Sequence, residues 1–200
     1  MGKFWTAGMR AAGLGLGTLV LLLTPAGAQD ISERAVKAFM DYAWSLTPAK
    51  FTKPDGTSVE IDKKDRSKVQ VPMDTAREVI KVGRLTAHAQ MCELPEDQVA
   101  NYRSLMRREE AKGKWTEQQM IYINQLHLTT VMLLTGKIRL VEKRDGEKDV
   151  VIDEPKKSEA STCTDEQRKK VKELIAAYIA TGPDLNENPK AAQAPTPLKK

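Results

Sequence analysis

The sequence predicts a mainly α-helical protein, a small bundle of about five helices with one or two short β-hairpin excursions and one disulfide. Three observations predict it. Helix-start signals recur along the chain, each ahead of an apolar periodic stretch. The stretch from Gln118 to Gly136 contains no Asp, Glu, Lys or Arg, and two cysteines alone, Cys92 and Cys163, interrupt an otherwise cysteine-free chain.

Four of the starts have a capping side chain followed three residues later by Glu or Gln: Asp30-Ile31-Ser32-Glu33, Thr75-Ala76-Arg77-Glu78, Thr116-Glu117-Gln118-Gln119 and Thr164-Asp165-Glu166-Gln167. In that spacing the two side chains satisfy backbone N–H groups that a helix start leaves unpaired. Pro95-Glu96-Asp97 adds a fifth, with proline at the first helical position and acids where the helix dipole favours them.

The first predicted helix, about Ser32 to Leu46, confines its polar residues to Arg34, Lys37, Asp41 and Ser45, so it should be covered on most sides. The second, about Met73 to Glu93, sets Arg77, Lys81, Arg84 and His88 along one stripe. Opposite lie Ala76, Val79, Ile80, Gly83 and Ala87, small enough to admit a close neighbour. The third, about Glu96 to Lys112, has a thin apolar face of Val99, Tyr102 and Met106 and belongs at the surface. The fourth, about Glu117 to Thr135, is apolar all round and reads as the core helix. Its Asn124, Gln125, His127 and threonines would lose water in lipid, which argues against a membrane span. The fifth, about Asp165 to Ala180, is amphipathic through Val171, Leu174, Ile175, Tyr178 and Ile179, and stops before Gly182-Pro183.

Two connections carry strand signals. Phe51 to Val71 holds Pro54-Asp55-Gly56 between β-favourable runs, and Ile138 to Ile152 holds Asp145-Gly146, a hairpin turn pair. Residues 183–200, rich in Pro, Ala and Lys, are expected to be a disordered tail.

The chain's start reads as an export leader, residues 1–28. Lys3 and Arg10 form a basic n-region, Leu14 to Leu23 a mostly apolar run without charge, and Ala26-Gly27-Ala28 a small-residue cleavage site after Pro25. The apolar run falls short of the ~20 residues that span a bilayer, so cleavage after Ala28 and a soluble periplasmic or secreted product are expected, with no stable membrane insertion afterwards. The helical domain then covers residues 29–182. Without Lys3 and Arg10 the 32 basic residues become 30 against 27 acidic, a net charge of +3 in place of +5. Acids interleave the bases, as in Lys143-Arg144-Asp145-Gly146-Glu147-Lys148, which argues against nucleic acid as a partner.

In an oxidising compartment Cys92 and Cys163 have one connectivity. The bond closes a loop of about 70 residues, for which chain entropy gives at most about 4 kcal/mol. It also joins the end of the second helix to the start of the fifth, so the two should run antiparallel.

Few residues invite a chemical role. His88, Cys92, His127 and Cys163 could form a two-His, two-Cys metal set, but pairing of the cysteines removes it, and neither a metal nor a cofactor is expected. His127 falls on the apolar face of the fourth helix with Asn124 one turn before it, and the two are candidates for lining a small-ligand pocket. Trp44, Trp115 and Phe51 are candidate partner contacts, weighed against a place in the core. No nucleophile triad, phosphate-binding glycine loop, haem attachment motif or paired carboxylates accompany them. The sequence thus points to an exported non-catalytic protein that binds or supports a periplasmic or cell-envelope component. The alternative is a small-ligand or metal carrier with a pocket around His127.

Overall fold

The computed structural model describes residues 31–138, 141–142, 150–151 and 163–184. The expected leader, the Asp145-Gly146 turn and the tail from residue 185 lie outside the described residues.

Six helices and two small antiparallel hairpins make up the described chain. In order they are α1 (Glu33–Leu46), β1 (Lys50–Thr52), β2 (Ser58–Glu60), α2 (Arg66–Val69), α3 (Met73–Met91), α4 (Pro95–Ala111), α5 (Glu117–Leu134), β3 (Val141–Glu142), β4 (Val150–Val151) and α6 (Asp165–Ala180). Phe51 pairs with Val59 in the first hairpin and Val141 with Val151 in the second. Helix α5 is the centre, packed against α1, α2, α3, α4 and β2. Among the described residues no helix is long and apolar enough to cross a membrane.

The expected capping boxes form at Thr116 and Thr164, where each threonine hydroxyl accepts from the backbone N–H three residues on and the Gln side chain reciprocates. Two other starts differ. Ser32, not Asp30, caps α1 through Ala35 N–H. Helix α3 begins two residues ahead of Thr75, because Ala76 N–H already bonds Pro72 O and places Thr75 inside the first turn.

The α3 C-terminus turns sharply. Glu93 adopts φ +56°, its N–H bonds Gln90 O, and Leu94 N–H bonds Ala89 O, the paired bonds of a Schellman turn. This reversal buries Leu94 and launches α4 at Pro95.

The core has two parts. The larger gathers Val36, Met40, Val69, Val79, Ile80, Leu105, Tyr122, Ile123 and Leu126 among others. Tyr122 OH donates to Met40 O at 2.9 Å and accepts from Gln70 Nε2 at 3.1 Å, joining α5 to α1 and to the residue that ends α2. The second is a satellite of Ala89, Cys92, Leu94, Val171 and Ile175, flanked by Leu85, Cys163 and Ile179. Cys92 and Cys163 are bonded, and α6 runs antiparallel to α3 from that bond, as the spacing requires.

Two sequence expectations about faces fail. Helix α1 buries fully only Val36, Met40 and Ala43, and Trp44 is half-buried, packed against the core and also covered by cations. Lys63 Nζ lies 3.9 Å from its ring centroid and donates to Trp44 O and Thr47 O, closing the free carbonyls of the α1 end. In α4 the inward face is Asn101, Ser104, Leu105 and Glu109, while Val99 is exposed and Tyr102 and Met106 stand half-buried. Two of these polar side chains meet partners inside: Asn101 Nδ2 donates to Val82 O and to Thr86 Oγ1, and Glu109 accepts from Trp115 Nε1.

Gly83 supplies the close approach its neighbours in sequence suggest. A Cβ there would lie 2.9 Å from both Cβ and Cγ2 of Thr130 and 3.3 Å from His127 O. Gly83→Ala should gain up to about 1 kcal/mol in helix propensity and lose more to overpacking. The expected net is a destabilisation of about 1 kcal/mol, read as a lower urea midpoint with unchanged slope.

Helix α6 buries only Val171 and Ile175, so the covalent bond supports an attachment otherwise made by that small core and by hydrogen bonds of Arg108 to Tyr178 O and Arg168 to Cys92 O. A Cys92→Ser/Cys163→Ser variant should lose up to about 4 kcal/mol of stability. Amide exchange should quicken throughout α6 before it does in α5; uniform acceleration in both helices would contradict this division of the core.

Candidate functional site

A groove of about 450 Å3 opens where the first hairpin, α4 and α5 meet. Phe51 and Pro54 come from the hairpin, Tyr102 and Met106 from α4, Met120, Ile121 and Asn124 from α5, and Trp115 from the connection between those helices. Helices α4 and α5 are joined by only a few residues and run antiparallel, which sets Tyr102 level with Asn124. Tyr102 OH donates to Asn124 Oδ1 at 2.8 Å. One turn farther from the connection, Val99 on α4 and Leu128 on α5 are exposed.

The polar groups around this groove largely engage one another. Glu109 is buried and accepts from Trp115 Nε1 at 2.8 Å and from Lys112 Nζ at 2.7 Å, which fixes the indole. Lys53 and Glu117 are paired at the rim; that hydrogen bond raises the lysine's pKa. Glu110 lies on the outer wall and, with Tyr102 and Met106, also lines an adjoining concavity of about 460 Å3 bordered by Arg103 and Arg107. Burial raises the Tyr102 pKa, assisted by the charge of Glu110, so the phenol stays protonated as a donor.

The two candidate pocket residues separate in the structure. Asn124 lines the groove, and His127 lies behind Tyr102, ring centroids 5.2 Å apart. His127 is buried with Nε2 2.9 Å from Thr86 Oγ1. The Thr86 hydroxyl has one proton to share between His127 Nε2 and Val82 O, and it accepts from Asn101. Burial pushes the imidazole pKa down to about 4, so the ring is neutral near pH 7. Asn101 Oδ1 and Ser104 Oγ on the same helix face have no hydrogen-bond partner among the described residues.

The remaining candidates divide similarly. Phe51 and Trp115 meet in the groove, and Trp44 sits elsewhere beneath Lys63. His88 is exposed, its pKa lowered by desolvation and by Arg84, and Cys92, four residues on, is in the disulfide. Among the described residues, no three His, Cys, Asp or Glu side chains converge as metal ligands would. Tyr102 and Met106 are the groove residues that sequence periodicity assigned to an ordinary packing face; the aromatic at position 102 with Trp115 beyond the helix end is the signal that marks them.

No protein-family model, curated protein or solved structure matches the chain. Function must therefore be read from the chemistry of the groove and its surroundings.

His127 carries a pH signature. Its folded pKa of about 4 lies below the ordinary 6.5, so the unfolded chain takes up a proton that the folded chain refuses. The stabilisation is complete above pH 6.5 and is lost as pH falls towards 4, by about 3 kcal/mol in all. Urea midpoints measured across that window should fall more steeply for the native chain than for His127→Asn; parallel curves would refute the assignment.

Proposed function

We propose that this chain is exported, loses residues 1–28, and acts as a non-catalytic binding protein of the cell envelope. It holds an apolar segment of an envelope protein in the groove between the first hairpin, α4 and α5. The groove carries this reading: an open concavity lined by Phe51, Tyr102, Trp115, Met106, Met120 and Ile121 offers aromatic and thioether surface suited to peptide contact. Apart from Glu110 on the outer wall, its polar side chains are engaged in Tyr102–Asn124, Glu109–Trp115 and Lys53–Glu117 pairs, and its nearby imidazole faces Thr86. Such a lining favours holding over acid-base chemistry. Export is supported by the leader-like start and by a disulfide that needs an oxidising compartment to persist.

A second reading rests on the groove's size. Its volume of about 450 Å3 falls within the ~300–1,000 Å3 usual for small-molecule sites, and Asn124 could fix the polar end of a compact apolar ligand. Native mass spectrometry of the purified chain distinguishes it by a retained small molecule.

A photo-crosslinking residue placed at Tyr102, and in a separate variant at the exposed Lys37 of α1, tests the leading reading in producing cells. Adducts with an envelope protein are expected from position 102 and not from 37, and they should fade in Met106→Gln. N-terminal sequencing of the adduct should begin at Gln29. Equal adducts from both positions, or none from 102, would discard the proposal.

A further inference from the structure

We propose that the groove is occupied in the isolated chain by its own C-terminal tail, through the segment Ala194-Pro195-Thr196-Pro197-Leu198, and that a partner segment must displace it. The inference rests on the binding reading above and adds a means of regulating that site.

The chemistry of the two surfaces matches. Two prolines separated by one residue favour the polyproline II conformation, which has no internal hydrogen bonds and loses little entropy on docking. Such segments are taken up by aromatic-lined grooves, where rings pack against the pyrrolidines. Phe51, Tyr102 and Trp115 provide three rings in one concavity, with Met106 between the walls. The charges point the same way. After Glu187 the tail has no acid and three lysines, Lys190, Lys199 and Lys200, while the groove is lined by Glu110, Glu117 and Lys53, the last paired with Glu117, so its lining carries one more acid than base.

The fold delivers the tail to the right place. Helix α6 is tied at its start to Cys92, just ahead of α4, and at its end to Arg108, near the finish of α4. The two helices therefore run parallel. Arg108 donates to Tyr178 O and to Thr181 Oγ1, and Gly182 presses on the same guanidinium, where a Cβ would lie 2.9 Å from Nη2. The tail thus departs beside the last turns of α4, the end that also carries Met106 and Glu110 into the groove. Reaching the groove means rounding one helix, about 10–12 Å across. The roughly ten residues between Asp184 and Ala194 extend to about 31 Å at about 3.1 Å per residue, ample for that path. A tether this short holds the segment at an effective concentration in the millimolar range, so an intrinsic dissociation constant near 1 mM suffices for substantial occupancy.

The test uses the full chain and a Pro195→Gly/Pro197→Gly variant of it, compared by NMR at the Trp115 indole and the Tyr102 amide. Both substitutions lie beyond α6, so thermal midpoints should agree. The variant's Trp115 and Tyr102 signals should differ from the native chain's, and a synthetic peptide of residues 190–200 at millimolar concentration should move them back. The apolar dye 8-anilinonaphthalene-1-sulfonate should bind the variant's groove about threefold or more tightly. Superimposable spectra with equal dye affinities would overturn tail occupancy and leave the groove as a binding site. A dye that perturbs Trp115 in neither protein would overturn both readings.

Discussion

Helix α5 can lie at the centre only because its polar side chains are answered from within the bundle. Thr130 returns its hydroxyl proton to Leu126 O, Tyr122 bonds the α1 carbonyl at Met40, and His127 meets Thr86 across the α3 interface. Each of these groups would otherwise cost about 1–3 kcal/mol as a buried unpaired donor or acceptor. The approach that makes the His127–Thr86 bond possible depends on the missing side chain at Gly83, against which Thr130 rests. Removal of charge from α5, small residues on α3 and the buried polar layer are therefore one requirement expressed at three places.

That layer also shapes the surface. Asn101, Ser104 and Leu105 turn α4 towards α3, where Asn101 bonds Val82 O and Thr86. With α4 committed to α3, its Tyr102 and Met106 face α5 only along their edges, and the two walls diverge into a groove. Glu109 then steadies Trp115 at the groove's closed end through the indole N–H. The groove is thus a by-product of how the interior satisfies its hydrogen bonds.

Much of the architecture was legible from the chain. The capping boxes at Thr116 and Thr164, the Pro95 start and the uncharged run after Glu117 mark helices that occur where expected, and two lone cysteines mark the bond that orients α6. Helical periodicity misjudged α1 and α4, because it treats every apolar side chain as seeking the interior. Trp44 is satisfied by Lys63, and Tyr102 with Met106 is left at a cleft. Helix α2 went unforeseen because four residues are too few to show a period; it forms from side-chain turns, with Asp62 accepting from Lys64 and Asp65 N–H and Asp65 from Ser67 N–H. Of the candidate pocket pair, spacing placed Asn124 and His127 on one helix face but could not show that Asn124 bonds Tyr102 in the groove lining while His127 is buried against the same ring.

The Cys92–Cys163 bond holds α6 to the end of α3 irrespective of the chain that links α5 to α6. Each doubling of such a linking segment raises the entropy of closing it by only about 0.6 kcal/mol. The stretch between Ile138 and Cys163 is thereby released from any duty of measuring distance.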